Sequence, residues 1–222
     1  MLATLLQQAF ERPEIDFHAL APEIVLTGAL VLVLLADLFT PTGSRGIVPQ
    51  VAGIGILASL LPILTLALDG ADRSMFGGAY EVDNFALVLK ALFLLAGYVV
   101  VLLSTNYIAE GDYAEGEYYF LLLSSLLGMT VMASSRDLVS IFVALELLSI
   151  PAYMLAGWRK RDLRGNEAGV KYYLMGVFAS AVMLYGMSLL YGLTGSTLLA
   201  DIGAAVASAS PMPASWVVPV TP

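Results

Sequence analysis

The chain has 222 residues, of which 59% are hydrophobic and only 13% are charged, and its formal net charge is −8. Soluble domains carry about 25% charged residues, so this composition excludes an ordinary soluble domain and indicates a protein whose apolar surface faces lipid. Cysteine is absent, which excludes disulfides, thiolate metal sites and cysteine-bound iron–sulfur clusters in this chain. No basic segment is interleaved with aromatic residues, so nucleic acid is not an expected partner.

Long apolar stretches predict six transmembrane helices, since a bilayer core requires about 20 mostly apolar residues for each crossing. In chain order they cover 22–39, 47–68, 84–107, 117–134, 138–158 and 167–193. Asp137 is placed to cap the fifth helix, and Pro41 with Gly43 is placed to end the first. The predicted fold is therefore all-α, a polytopic transmembrane helical bundle that forms a single membrane domain over 1–222.

The segments outside these helices differ in composition. Segment 1–21 lacks the basic start and the small-residue cleavage site of a signal peptide, so we expect the first span itself to direct insertion. His18, the only histidine, lies in this segment, and no haem or zinc site is expected. Segment 194–222 is predicted to be a loop in which a seventh, incomplete span can start near 216–220. We expect the chain to be the N-terminal portion of a longer one.

Basic residues in the loops predict the orientation in the membrane. The loop after the fifth span contains "RKRDLR", the densest basic cluster, and is expected in the cytoplasm. Alternation of the spans then places five basic residues inside (Arg45, Arg159, Lys160, Arg161, Arg164) and three outside (Arg12, Arg73, Arg136). We therefore predict an extracytoplasmic N-terminus, with segment 1–21 outside.

Glu146 is the one carboxylate in the middle of the fifth span, in "SIFVALELLSIPAYMLAGW". An ionised group at mid-depth costs about 2.5–3.5 kcal/mol on insertion scales, so it must face a protein interior or a hydrated cavity. Burial raises the proton affinity of a carboxylate and a nearby cation lowers it. Pro151 should kink the same helix and free backbone groups that need partners. A proton relay is favoured over a static ion pair, because buried ion pairs stabilise poorly.

Lys171 begins the sixth span in "EAGVKYYLMG", four residues after Glu167. This spacing puts the two side chains on one helical face and favours a local ion pair. With a helix start at 167, Lys171 lies roughly 6 Å inside. A lysine that snorkels to the interface is the alternative. Glu146 and Lys171 on adjacent antiparallel helices form a candidate path from the cytoplasm.

Three further charged residues lie near span ends. Lys90 falls about seven residues into the third span, where snorkelling or contact with another subunit is as good an interpretation as proton handling. Glu23 and Asp37 lie at opposite edges of the first span, and ordinary placement at the membrane interface explains both.

Several of these segments resemble a known family. "APEIVLTGALVLVLLADLF", "VDNFALVLKALFLLAGYVVVLLSTNYI", "ELLSIPAYMLAG" and "EAGVKYYLMGVFASA" are similar to the subunit N family of the proton-pumping NADH:quinone oxidoreductase (respiratory complex I), an antiporter-like membrane subunit. The resemblance reaches to about residue 196, and the last two segments are its most specific part.

The resemblance implies an inverted-repeat fold with more helices than six and a role in proton translocation. It implies that Glu146 is the proton-path glutamate of the fifth helix and Lys171 the functional lysine of the sixth, with Glu167 a weaker neighbour. Central lysines of the family would lie beyond Pro222. NADH, FMN, iron–sulfur clusters and quinone would be bound by partner subunits. The expected partners of this chain are the other membrane subunits of the complex, in a bacterial inner membrane.

Two alternatives remain open at this point. A cation/proton antiporter or a membrane-bound hydrogenase subunit would share the same fold and the same glutamate and lysine. A structural membrane subunit that conducts nothing would hold Glu146 and Lys171 in static pairs. Replacing both charges with apolar residues separates that reading from a relay, because a static pair can be replaced without loss of pumping.

Overall fold

The computed structural model describes residues 15–39, 46–70, 72–109, 115–159 and 161–209. Within these ranges the chain forms seven α-helices: α1 (Ala21–Phe39), α2 (Ile47–Leu68), α3 (Asn84–Ala109), α4 (Glu115–Ser134), α5 (Leu138–Ala156), α6 (Leu163–Thr194) and α7 (Leu199–Ala209). The first six are long and apolar enough to cross a membrane. This confirms the predicted six-span helical bundle, and the chain is a multi-pass membrane protein.

The sixth helix starts earlier than the sequence pattern predicts, at Leu163 instead of position 167. Asp162 causes the difference, because its side chain accepts a hydrogen bond from the backbone amide of Arg164 and so caps the helix there. At the other end, Gly195 closes α6 in a left-handed conformation with φ of 71°, which glycine adopts without steric cost.

Part of the segment predicted as a loop, 194–222, is helical, since α7 covers Leu199–Ala209. The seventh span predicted near 216–220 lies outside the described residues, and so do Pro41 and Gly43, which were predicted to end the first helix.

Four helices form the core of the bundle. α1 packs on α2 and α4, α3 packs on α2 and α4, α5 packs on α4, and α6 packs on α5. The buried side chains between α1, α2, α3 and α4 are aliphatic and aromatic: Leu26, Val33, Ile56, Leu66, Leu87, Leu94, Val101, Tyr119, Leu123 and Leu126. Among the described residues of α6, only Gly169 is buried. Glu146 on α5 therefore lies outside this four-helix core, next to α4.

A β-hairpin closes one end of the bundle, which we call the hairpin end. Strands β1 (Arg73–Met75) and β2 (Tyr80–Val82) pair in antiparallel fashion, with Met75 opposite Tyr80. The reversal between them uses Gly77 and Gly78 at φ of 66° and 92°, values that favour glycine.

Backbone hydrogen bonds tie three connections together at the hairpin end. The amide of Arg136 donates to the carbonyl of Ala79 in the hairpin (2.8 Å), and the amide of Leu138 donates to the carbonyl of Thr197 after α6 (2.9 Å). The amide of Leu199 donates in turn to the carbonyl of Arg136 (3.0 Å). The starts of α1, α3 and α5 therefore lie at this end, and the basic loop 157–162 lies at the opposite one, which we call the loop end.

Candidate functional site

Glu146 lies eight residues after the start of α5, about 12 Å along the helix from the hairpin end. It is half-buried. Its Oε1 atom is fully shielded from solvent and has no hydrogen-bond partner among the described residues. A buried polar atom without a hydrogen-bond partner is uncommon in folded proteins. A water molecule, an ion or a proton bound to the carboxyl group would satisfy it.

α4 positions the part of α5 that carries Glu146. A Cβ atom added to Gly128 on α4 would lie only 2.4 Å from the Leu148 amide nitrogen and 2.8 Å from the Ala144 carbonyl oxygen. Only glycine permits this approach of the two backbones. Ser125 Oγ, one turn earlier on α4, donates a hydrogen bond to the Leu148 carbonyl at 3.0 Å. These contacts fix the backbone on both sides of Glu146.

Pro151 lies inside α5, which continues to Ala156. Proline has no amide hydrogen, so the carbonyl of Leu147 loses its usual helical donor. The hydroxyl of Ser125 reaches the adjacent carbonyl, that of Leu148. This bond does not replace the donor that the Leu147 carbonyl loses, so the predicted partner for the interrupted backbone stays a prediction.

Lys171 and Glu167 contact each other on α6 through Nζ and Oε1, as the four-residue spacing predicts. Both side chains are exposed in the structure, by 71% and 64%. Because α6 begins at Leu163, Lys171 lies about 12 Å along the helix from its start, deeper than the 6 Å expected from a start at 167. No hydrogen bond or ion pair among the described residues joins Lys171 to Glu146.

A cavity of about 460 Å³ lies between α4, α5 and α6 at the loop end. Its lining residues combine aromatic and polar groups, among them Glu117, Tyr153, Trp158, Asn166 and Tyr173. Tyr153 lies seven residues after Glu146, which puts both on one face of α5, about 10 Å apart along the helix. The cavity therefore touches the same face of α5 as the candidate carboxylate, about two helical turns away, and Glu146 itself does not line it.

Lys90 is fully buried, and its Nζ atom lies 2.8 Å from Oε1 of Glu23. The interpretations of Lys90 as a snorkelling lysine or as a contact with another subunit are therefore wrong, because the side chain reaches neither lipid headgroups nor an outer face. The interpretation of Glu23 as an ordinary interfacial residue is also wrong, since Glu23 is only 7% exposed. The two charges neutralise each other between α1 and α3.

Tyr80 of the hairpin covers this ion pair. Lys90 Nζ donates a hydrogen bond to the Tyr80 hydroxyl at 3.0 Å and lies 5.1 Å from the centre of its ring. Burial, followed by the negative charge of Glu23, raises the pKa of the Tyr80 hydroxyl far above its ordinary value. Tyr80 therefore stays protonated at physiological pH and offers Lys90 a neutral partner beside the charged one.

The sequence contains a signal that could have identified the Glu23–Lys90 pair. Glu23 lies in the first turn of α1 and Lys90 in the second turn of α3, and odd-numbered spans of an alternating bundle begin at the same end. Two opposite charges at similar depth, each alone in its part of an apolar helix, are expected to pair. The role of Tyr80 could not be foreseen, because the hairpin was not predicted.

Within the described residues, no group of three or more His, Cys, Asp or Glu side chains is arranged to hold a metal ion. The chemistry available at Glu146, and at Glu23 with Lys90, is proton transfer and electrostatic pairing.

Segment 135–218 matches a transmembrane family described as NADH:quinone oxidoreductase/Mrp antiporter. A relative from Trichlorobacter lovleyi, named NADH-quinone oxidoreductase subunit N, is 38% identical over 192 residues. The match covers 86% of this chain and 39% of the relative. The chain thus spans about two fifths of the length of the curated relatives that it matches.

Two solved structures share the fold. Respiratory complex I from Thermus thermophilus with bound aureothin matches with a TM-score of 0.63 and 36% identity, over 80% of this chain and 38% of the matched chain. The membrane-bound sulfane sulfur reductase, an archaeal respiratory membrane complex, matches with a TM-score of 0.73 and 21% identity, over 85% of this chain and 40% of the matched chain. At that identity the second match shows the fold alone.

Proposed function

We propose that the chain is part of a membrane-arm subunit of NADH:quinone oxidoreductase that translocates protons, because segment 135–218 matches the NADH:quinone oxidoreductase/Mrp antiporter family and most of the chain is similar to subunit N relatives. Electron transfer from NADH to quinone takes place in partner subunits, and the chain supplies a protonatable path through the bilayer. The complex lies in a bacterial inner membrane, with the hairpin end extracytoplasmic and the loop end cytoplasmic.

The observation that supports this function most directly is the state of Glu146. Its Oε1 atom is buried without a hydrogen-bond partner among the described residues. If Glu146 is ionised, its shielded Oε1 atom has lost its hydration without gaining a hydrogen bond, and this raises the free energy of the ionised form. A carboxyl group that takes up a proton removes most of that cost, and a cation that approaches it favours the ionised form again. Glu146 is therefore suited to change its protonation as its surroundings change.

Protons reach Glu146 from the loop end. The cavity lined by Tyr153 and Asn166 supplies space for water on the face of α5 that carries Glu146. Lys171 and Glu167 form an exposed pair on the neighbouring helix, and each directly follows a cavity residue, Val170 and Asn166 respectively. We assign this pair the role of setting the electrostatic potential at the entrance. It does not contact Glu146 directly in the described structure.

The direction of transport requires an external source of energy. Moving one proton against the membrane potential costs about 2.3 kcal/mol per 100 mV. In the proposed mechanism, electron transfer in the partner subunits moves a cation near Glu146. When the cation withdraws, Glu146 becomes a stronger base and takes up a proton from the loop end. When the cation returns, the proton leaves along the membrane interior.

The test is proton pumping by the natural full-length protein, in its assembled complex, with Glu146→Gln. Glutamine keeps the size of the side chain but cannot exchange a proton, so the number of protons pumped per electron should fall below the wild-type value. Glu146→Asp keeps the carboxyl group and should restore part of the loss. Asp201→Asn is the matched control, because Asp201 is an exposed carboxylate on α7 that accepts a hydrogen bond from Ser196, and no hydrogen bond or ion pair among the described residues joins it to Glu146.

Wild-type stoichiometry in the Glu146→Gln complex would rule out the relay. A loss of the same size in Asp201→Asn would show that any removed carboxylate disturbs the complex, and it would remove the support for Glu146.

A cation/proton antiporter is the second candidate function, because the description of the matched family covers Mrp antiporters as well. Membrane vesicles that contain the natural protein separate the two. NADH oxidation should drive proton uptake in the absence of sodium if the chain belongs to the oxidoreductase. A sodium gradient should drive it without NADH if the chain belongs to an antiporter.

A further inference from the structure

A buried carboxylate, that of Glu23, lies apart from Glu146, on helices that pack against α4. Glu23 on α1 and Lys90 on α3 form an ion pair of 2.8 Å, with side-chain exposures of 8% and 0%. Both Glu23 oxygens are shielded from solvent, and neither makes a well-aligned hydrogen bond to a described donor. Lys90 Nζ forms the ion pair with Glu23 and donates its hydrogen bond to the hydroxyl of Tyr80, which is 3.0 Å away.

A buried ion pair of this kind contributes little to the stability of a folded protein. Desolvating two charges can cost more than their attraction returns, and apolar residues of similar volume often replace such a pair without loss. Ionisable residues inside membrane segments are rare and mark ion or proton pathways. Within the described parts of α1 to α4, no other charged residue lies at the end that carries Glu23 and Lys90, and Asp83, directly before α3, also acts electrostatically on Lys90. α2 contains no charged residue, and the remaining acids of α1 and α4 (Asp37, Glu115 and Glu117) lie at the loop end.

Carboxylates that can accept a proton lie near the pair, at the hairpin end of the bundle. Glu23 and Lys90 lie about 3 and 9 Å along their helices from this end. Tyr80 covers Lys90, and the next residues of the hairpin side include Glu81 and Asp83, whose side chains are 44% and 36% exposed. Arg136 pairs with both, at 3.3 and 2.9 Å. Partly exposed carboxylates therefore lie at the same end of the bundle as the buried pair, directly after Tyr80 in the chain.

We propose that Glu23 is a proton-release site, with Lys90 as the cation that controls it and Tyr80 as the alternative partner of Lys90. The inference rests on the proposed function, since it supplies an outlet for the protons that Glu146 takes up. It assigns this outlet to α1, α3 and the hairpin, outside the α5 and α6 path.

The exchange involves one proton and one O–H bond. While Lys90 contacts Glu23, the pair consists of a carboxylate and an ammonium group. When Lys90 turns to Tyr80, a Glu23 oxygen accepts a proton from a hydronium ion on the inner side, so that an O–H bond of the hydronium ion breaks, an O–H bond forms on Glu23 and a neutral water molecule remains. When Lys90 returns, that bond breaks, and the proton passes to the carboxylate of Glu81 or Asp83 or to water. Lys90 keeps its own proton throughout.

Carbodiimide labelling of the wild-type complex tests the proposal without any variant. A hydrophobic carbodiimide modifies protonated carboxyl groups in apolar surroundings and spares permanently ionised ones. During NADH-driven turnover, mass spectrometry should find Glu23 labelled. Asp16 is the internal control, because hydrogen bonding from Arg73 holds its pKa below the ordinary value. Glu23 labelled no more than Asp16 would overturn the proposal.

A second experiment separates proton release from a static pair. The double variant Glu23→Leu/Lys90→Met replaces both charges with apolar groups of similar size. If the pair releases protons, the protons pumped per electron should fall to the level of Glu146→Gln. If it only joins two helices, the double variant should pump as the wild type does, and the proposal fails.

Failure of this inference can be told apart from failure of the proposed function. Loss of pumping in Glu146→Gln with normal pumping in Glu23→Leu/Lys90→Met would contradict only the release site. Normal pumping in Glu146→Gln would contradict the relay itself.

Discussion

At the scale of single residues, Asp137 determines where the helix that carries Glu146 begins. Its Oδ2 atom accepts hydrogen bonds from the amides of Val139 and Ser140, each at 3.0 Å. Burial raises the pKa of Asp137, but hydrogen bonds from Thr197 and from these amides outweigh it, and the pKa lies below its ordinary value. Asp137 therefore contributes to stability in its ionised form.

We expect Asp137→Ala to lower the stability of the folded protein by about 1 kcal/mol, the usual cost of removing an N-cap. Asp137→Asn keeps an acceptor oxygen and should lose less. Because the folded-state pKa is lowered, the contribution of the charge is present above the unfolded-state value of about 3.9 and is lost as the pH falls through the folded-state value. Thermal unfolding of the purified complex at neutral pH should rank the midpoints in the order wild type, Asp137→Asn, Asp137→Ala, from highest to lowest. Equal midpoints for Asp137→Ala and the wild type would contradict the capping role.

The capping role of Asp137 could be predicted from the sequence, because the N-cap and its two amide donors are adjacent in the chain. Its contact with Thr197 could not be predicted, since sixty residues and two helices, α5 and α6, separate the two. Glu23 and Lys90 were misjudged for the same reason. The sequence gives only the depth of each residue relative to the membrane interface, whereas the residue with which it pairs lies on another helix.

At the scale of elements, the contact between α4 and α5 sets the position of Glu146. Gly128 faces the backbone of α5 between Ala144 and Leu148, the two residues that flank the Glu146 turn. Gly128→Ala would force the helices apart, at a typical overpacking cost of about 1–3 kcal/mol. We expect a lower thermal midpoint and fewer protons pumped per electron.

Gly28→Ala is the matched control for this substitution, since a Cβ atom on Gly28 would meet no described atom within 4 Å. It also adds a better helix former and should leave pumping unchanged. Equal behaviour of Gly128→Ala and Gly28→Ala would show that the close approach of α4 and α5 is not required.

The helices themselves were the most predictable elements, since length and apolarity alone identify a span. The start of α6 was displaced because Asp162 provides a cap before the apolar stretch begins. The hairpin and α7 were missed because three-residue strands and an 11-residue helix leave little periodic signal in a sequence.

At the scale of the whole molecule, the arrangement of the ends is established but the side of the membrane remains a proposal. The chain contains no cysteine, so one introduced cysteine gives an unambiguous label. Ser74→Cys in the exposed part of the hairpin should react with an impermeant thiol reagent added to intact cells, because the hairpin end is extracytoplasmic in our account. Arg161→Cys in the exposed loop should react only after the membrane is opened. The reverse labelling pattern would show that the hairpin end faces the cytoplasm.

The central claim is that Glu146 gains and loses a proton while the complex works. Infrared difference spectroscopy of the assembled complex measures this directly, because a protonated carboxyl group has a carbonyl band that a carboxylate lacks. We predict a band that appears and disappears during NADH-driven turnover and is absent from the Glu146→Gln complex. A spectrum that is identical in the wild type and Glu146→Gln would contradict the account.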